Sequence, residues 1–188
     1  MESALHAHIN QVVAITNEEF TEISPYFAPR TFKKYHYLLQ AGEPAPIEFF
    51  VVHGLLKSSY VDSSGKVHIL QFAMEGWWIS DFTAFNLQTL ATLSIDCIEK
   101  TEVLTISFEN KEKLCEASQK MAYFFRKKYA VGNAALQRRL LSLLSASATE
   151  RYHSLVRQYP ELNRRVPKSL LAAYLGVTRE TLSRLSRS

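Results

Sequence analysis

Residues 168–187 read KSLLAAYLGVTRETLSRLSR, and their spacing predicts two short helices folded across a tight turn. Apolar side chains recur at Leu171, Leu175, Val177, Leu182 and Leu185, with small Ala172 on the first helix and Gly176 at the turn. Glycine takes the left-handed backbone that ends a helix at no steric cost. Ala172 lets the helices approach, the leucines fill the wedge between them, and Thr178 suits the N-cap of the second helix. This is helix-turn-helix spacing. With Leu182 and Leu185 turned inward, Glu180, Ser183, Arg184 and Arg187 share the outward face of a second helix over 178–187. Such a helix lies in the major groove of DNA, where arginine grips guanine O6 and N7 with a bidentate fork and glutamate accepts from the cytosine amino group. An ordinary helical hairpin with a solvated face is the competing reading, because Glu180 and Arg184 also stand i,i+4.

The charge distribution points the same way. Residues 1–110 hold 6 Lys/Arg against 13 Asp/Glu, and residues 111–188 hold 16 against 5, so halves of −7 and +11 make up the net +4. Such asymmetry is expected when one half meets a polyanion. A membrane surface is the rival polyanion, but there is no lipidation box, no apolar run near 18 residues, and no basic-then-apolar leader in MESALHAHINQ. The expectation is a cytoplasmic protein that needs no membrane. Cys97 and Cys115 are the only cysteines and form no Cys-x-x-Cys, which speaks against a disulfide framework and against zinc or iron–sulfur ligation. His6 and His8 make the only His-x-His pair, in a stretch expected to be mobile, and His36, His53, His68 and His153 stand alone. No metal and no cofactor are expected.

From 32 to 106 the chain runs in short β-rich bursts: TFKKYHYLL, IEFFVVH, LLKSSYVD, VHILQFA, TLSIDCI and EVLTISF. Turn residues separate them, with Gly42-Glu43-Pro44, Gly54 and the run from Asp62 to Gly65, so an antiparallel barrel or sandwich is predicted. A helix over 17–26 precedes it. After Asn110 the pattern turns helical, with Leu114, Ala117, Met121, Phe124, Lys128, Val131 and Ala135 at alternating steps of three and four. That is a heptad seam suited to pairing with a twin helix in a homodimer. One amphipathic helix packed on its own barrel has the same spacing. The small, polar stretch 145–148 reads as a hinge, and Tyr152, Leu155, Val156 and Tyr159 stripe a further helix that Pro160 ends.

The order β-barrel, long helix, short helix, helix-turn-helix resembles the Crp/Fnr family of bacterial transcription regulators over nearly the whole chain. Val177-Thr178-Arg179-Glu180-Thr181-Leu182-Ser183-Arg184 is similar to that family's recognition helix, in which the first Arg, the Glu and the last Arg touch bases; carried over, these are Arg179, Glu180 and Arg184. The resemblance implies an α+β protein: a jelly-roll effector domain over 1–110, a dimerisation helix over 111–145 and a DNA-binding domain over 146–188. It also implies a homodimer on duplex DNA, a small-molecule effector of unstated identity and RNA polymerase as a further partner.

The effector pocket departs from the cyclic-AMP sensors of that family. Their phosphate cassette runs Gly-Glu and then, about nine residues on, Arg-Ser or Arg-Thr; here Ser80-Asp81 and Ala91-Thr92 stand instead. The missing arginine is the fork that neutralises a cyclic phosphate, and an unpaired aspartate repels one. Lys127-Lys128 replace the small hydroxyl residues that touch adenine; Lys128 either points into the pocket and resupplies positive charge or, the more usual place for such a lysine, lies on a solvated helix face. The expectation is a cyclic-nucleotide fold not controlled by cyclic AMP. Members also often continue into two wing strands; with Ser188 closing this sequence, that contact is lost or falls to 161–166. Two other classes compete: a ligand-binding module that controls a partner protein, which leaves the basic half unexplained, and a cupin-type enzyme, which needs a strand-borne metal set that these residues do not supply. No enzyme is expected.

Overall fold

The computed structural model describes residues 1–186. Helix α1 (Glu2–Asn10) opens the chain, followed by α2 (Asn17–Ile23) and a 3-10 turn (Ser24–Tyr26) in place of the single helix expected over 17–26. Eight strands follow: β1 (Ala28–Phe32), β2 (Tyr37–Leu39), β3 (Ile47–His53), β4 (Leu56–Val61), β5 (Val67–Ala73), β6 (Trp78–Ile79), β7 (Ser94–Cys97) and β8 (Thr101–Ser107), with α3 (Phe82–Leu87) between β6 and β7. The remainder is helical: α4 (Phe108–Ala117), α5 (Gln119–Ser145), α6 (Ala148–Gln158), α7 (Pro160–Arg165), α8 (Lys168–Leu175) and α9 (Arg179–Leu185).

The strands form two four-stranded sheets, ordered β1-β8-β3-β6 and β2-β7-β4-β5. First pairs with eighth, second with seventh and fourth with fifth, which is jelly-roll topology built as two open sheets rather than one closed barrel. The central β3 explains why helices must cover this sandwich. Phe49 and Val51 point between the sheets to meet Ile79, Ile95, Cys97 and Val103. Phe50 points the other way and joins Trp78, Leu104 and Ile106 under Leu5, Ile9, Met121, Phe124 and Phe125. A strand apolar on both faces reads as the unbroken run IEFFVVH and is stable only when both faces are covered. Gly54, at φ +107, closes the β3–β4 turn against Lys100 and Thr101, where an added Cβ would lie 2.6 Å from the Lys100 carbonyl oxygen.

The N-terminus corrects an expectation. Residues 2–10 are an ordered helix with Leu5, His8 and Ile9 buried, because they cover the outer apolar face of β3 and β6. His8 accepts a hydrogen bond from the Trp78 indole at 3.3 Å, and burial first, then the nearby Lys128 ammonium, pushes its pKa down to about 4. A neutral His8 therefore stabilises the fold fully above pH 6.5, and that contribution drains as pH falls from 6.5 towards 4. Allowing for solvent at the rim of the site, the loss reaches about 1–2 kcal/mol by pH 5. Urea unfolding at pH 7.5 and pH 5.0 checks this: the native protein should lose that much more than His8→Gln, and equal losses would contradict the assignment.

The chain divides into two compact units. One comprises Met1–Ser58 with Gln71–Ala130, and the other Ser59–Leu70 with the chain from Val131 onward. In the first, Glu48 of β3 accepts from Lys111 at 3.1 Å and from the Tyr129 hydroxyl at 2.8 Å, all three drawn from different elements. The Lys111 ammonium lies over the rings of Phe85, Phe125 and Tyr129. Burial pushes the Glu48 carboxyl up and Lys111 opposes it, so each charge is tolerated only because the other is present. This buried pair joins α4 and α5 to the sandwich. In the second unit, the Arg139 guanidinium donates to the Ile69 and Tyr174 carbonyls at 2.9 and 3.0 Å and stacks 3.5 Å above the Tyr174 ring. Arg151 likewise donates to the Leu175 and Ala146 carbonyls. Part of the basic half's charge therefore serves the fold.

Candidate nucleic-acid interface and effector pocket

Helix α8 ends at Gly176, whose φ of +67° and ψ of +35° are left-handed, and the Val177 amide donates back to the Ala172 carbonyl at 3.0 Å. The chain then turns extended at Thr178, whose hydroxyl accepts the Thr181 amide at 3.2 Å and so caps α9. Leu171, Ala172, Leu175 and Leu182 are buried, with Leu155 of α6 and Leu162 of α7 also buried. The tight turn thus follows from a glycine stop and a threonine start two residues apart. On the opposite side of α9, Arg179, Glu180 and Arg184 are exposed and Ser183 half-exposed, and these four line one open hollow. Hydrogen bonds from its own amide and from the Thr178 hydroxyl hold the Glu180 carboxyl below its ordinary range, so it is an ionised acceptor at neutral pH. Arg187 lies outside the described residues. The stretch 161–166 is no strand: Pro160 starts α7, where its missing amide costs nothing, and Leu162 turns inward.

The heptad seam is divided differently from its expected course. Ser118 interrupts the helix between α4 and α5, with Ala117 exposed just before the break. Leu114, Met121 and Phe124 are at most 2% exposed inside their own chain's core, so they cannot meet a twin. Val131 is 63% exposed and Ala135 half-buried. Another face of α5 carries a stripe at the same spacing, exposed except for half-buried Ala134: Tyr123, Lys127, Ala130, Ala134, Gln137, Leu141 and Leu144. Leu144, at 75% exposure, is the most exposed of its large apolar members.

The four cassette positions meet around one carboxylate. Asp81 is 2% exposed and follows β6; one carboxylate oxygen accepts the Ala84 amide at 3.1 Å and caps α3. The other accepts the Thr92 amide at 2.8 Å, the Thr92 hydroxyl at 3.0 Å and the Leu93 amide at 3.0 Å. Burial pushes this carboxyl up, but the hydrogen bonds from Ala84, Thr92 and Leu93 outweigh it and hold the pKa below the usual aspartate range. The Ser80 hydroxyl donates to the Ile47 carbonyl. Ala91 is buried in the inter-sheet core, its amide donating to the Glu43 carbonyl and its carbonyl accepting from Gly42. Lys128 is half-buried, its pKa pushed down by burial, and its neighbour is His8 rather than Asp81. Among the described residues no ion pair joins Lys128 to Asp81.

Residues 29–118 match the family model of the cyclic nucleotide-binding domain. No curated protein matches the chain in sequence. Among solved structures, it is similar to FixK2 from Bradyrhizobium japonicum, at 21% identity and a TM-score of 0.73 over 86% of this chain and 83% of that one. It is also similar to a mutant of CooA from Carboxydothermus hydrogenoformans, at 15% identity and 0.74 over 97% and 82%. A transcriptional regulator of the Crp/Fnr family from Eubacterium rectale aligns at 14% identity and 0.69 over 92% and 82%. The chain shares the fold of these structures.

Within this fold Asp81 and Thr92, both expected at the pocket, are joined directly to each other. Asp81 is not the unpaired charge expected to face a ligand, because its carboxylate is engaged by the chain itself. The signal was present as Asp81 directly before an apolar helix, an N-cap pattern like that of Thr178. Among the described residues no His/Cys/Asp/Glu cluster is arranged to hold a metal ion, and no helix is long and apolar enough to cross a membrane.

Proposed function

We propose that this protein is a sequence-specific DNA-binding transcription regulator of the Crp/Fnr type that acts by binding rather than by catalysis. It works in the cytoplasm as a homodimer on a palindromic operator, with RNA polymerase as a further partner. The observation that carries this reading is the single polar face of capped α9, where Arg179, Glu180, Ser183 and Arg184 stand together beyond a helix-turn-helix bend. These side chains suit direct readout in the major groove. Two copies are brought together along the open stripe of α5 from Tyr123 to Leu144. The domain division proposed is an effector domain over 1–110, a stretch over 111–145 in which α5 alone supplies the dimerisation helix, and a reader over 146–188. Selection of bound sequences from a random duplex pool tests the reading: the enriched sites should be palindromes with half-site centres roughly 34 Å apart. Recovery of no shared sequence would overturn it.

Cyclic AMP is not the effector of this regulator. An arginine fork on a phosphate contributes about 1.5–3 kcal/mol, so Ala91 in its place weakens binding about ten- to a hundredfold before the charge of Asp81 is counted. Calorimetry with cyclic AMP and cyclic GMP should therefore give no heat at concentrations up to about 100 μM. Micromolar affinity that disappears in Lys128→Ala would show that the lysine reaches the pocket after all.

A further inference from the structure

The Thr92 and Leu93 amides are consecutive, both aim at the same carboxylate oxygen, and the Thr92 hydroxyl closes on it as well. Three donors, two consecutive main-chain amides and one hydroxyl, converge on one oxygen with no positively charged side chain contributing, and so form a small anion nest. The arch that presents it is held independently of Asp81 at several points. Gln88 takes the left-handed backbone at the end of α3, the Thr89 amide donates to the Ala84 carbonyl, Pro44 bridges Leu90, and Ala91 is locked to Glu43 and Gly42. The donors are thus preorganised by neighbouring chain, while the anion comes from a residue eleven positions upstream of Thr92.

We propose that the Thr92 and Leu93 amides with the Thr92 hydroxyl form an oxyanion site that Asp81 occupies from within as a resident ligand. This rests on residues 29–118 having a cyclic nucleotide-binding fold and deepens the reading of its pocket. The Asp81 carboxylate supplies the negative charge that the nest stabilises, so an external phosphate ester enters only by displacing a group already holding four hydrogen bonds. Effective concentration favours the tethered carboxylate over any dissolved anion. The domain is therefore closed to anionic effectors because the anion position is filled, as well as because Ala91 replaces an arginine.

Removing the carboxylate should leave a nest that small oxyanions refill. Asp81→Ala is expected to lower the thermal midpoint of the full chain by about 5 °C or more. Sodium formate or inorganic phosphate at about 100 mM should restore several degrees of it, since an anion that binds only the folded state stabilises by mass action. Sodium chloride at equal ionic strength should not. The native protein and Asp81→Asn, in which the site stays filled, should shift by less than a degree or so with any of the three. Rescue confined to Asp81→Ala and to the oxyanions supports the proposal. Equal shifts in all three proteins, or none in Asp81→Ala, overturn it. If Asp81→Ala does not fold in buffer, refolding yield is the readout: a yield raised by formate over chloride supports the site, and equal yields reject it. DNA plays no part in these measurements, so their failure leaves the regulator reading standing.

Discussion

Leu141→Glu combined with Leu144→Glu is expected to convert a dimer into a monomer in light-scattering runs and to lower affinity for a palindromic duplex by about a hundredfold or more. Both side chains are more than half exposed on α5, so the change removes no core packing within the chain. Placed on the seam, two glutamates per helix face their copies across a twofold axis, and four like charges replace an apolar contact. The loss on DNA is large because a dimer binds its second half-site intramolecularly, an advantage of about 10²–10⁴ that a monomer forfeits. The matched control is Met121→Glu, which should unfold the first unit rather than dissociate a folded dimer, since Met121 is fully buried among Leu114, Phe124 and Trp78. A double variant that stays dimeric and binds DNA normally would reject this face of α5 as the interface.

Arg184→Ala is the second large effect, at about 1–3 kcal/mol of operator affinity together with relaxed preference at one base pair. Its position on the outward face of α9 leaves the fold intact on substitution, because the helix is held from the other side by Leu182 and capped by Thr178. Arg179→Ala and Glu180→Ala should each relax a different position. Lys168→Ala, outside the set assigned to bases, should weaken all sequences alike and lower the salt slope by about one unit if it meets phosphate. The measurement is competition binding against every single-base variant of a selected site. Uniform losses across all sequences for Arg179, Glu180 and Arg184 variants would show that these side chains touch backbone alone.

The features that the sequence by itself determined are ones that depend on neighbours along the chain. Gly176 and Thr178 bracket a turn because one accepts φ +67° and the other caps with its own hydroxyl, and both interactions span five residues or fewer. The principal strands were legible for the same reason, since period-two alternation and turn residues are local, and IEFFVVH and VHILQFA fall on β3 and β5 to the residue. Tertiary structure decided what those periodicities face. A seam at steps of three and four specifies an apolar stripe and is silent about its cover, so Leu114, Met121 and Phe124 met their own sandwich and left another face of α5 open. It likewise turned an N-terminal segment expected to be mobile into a buried lid, because Leu5 and Ile9 find β3 and β6 across about forty to seventy residues of chain. The effector site is the clearest case. Asp81 and Thr92 are legible as residues, but that one's carboxylate fills the other's amides depends on an arch pinned by Gly42, Glu43 and Pro44, long-range contacts with no periodicity to announce them.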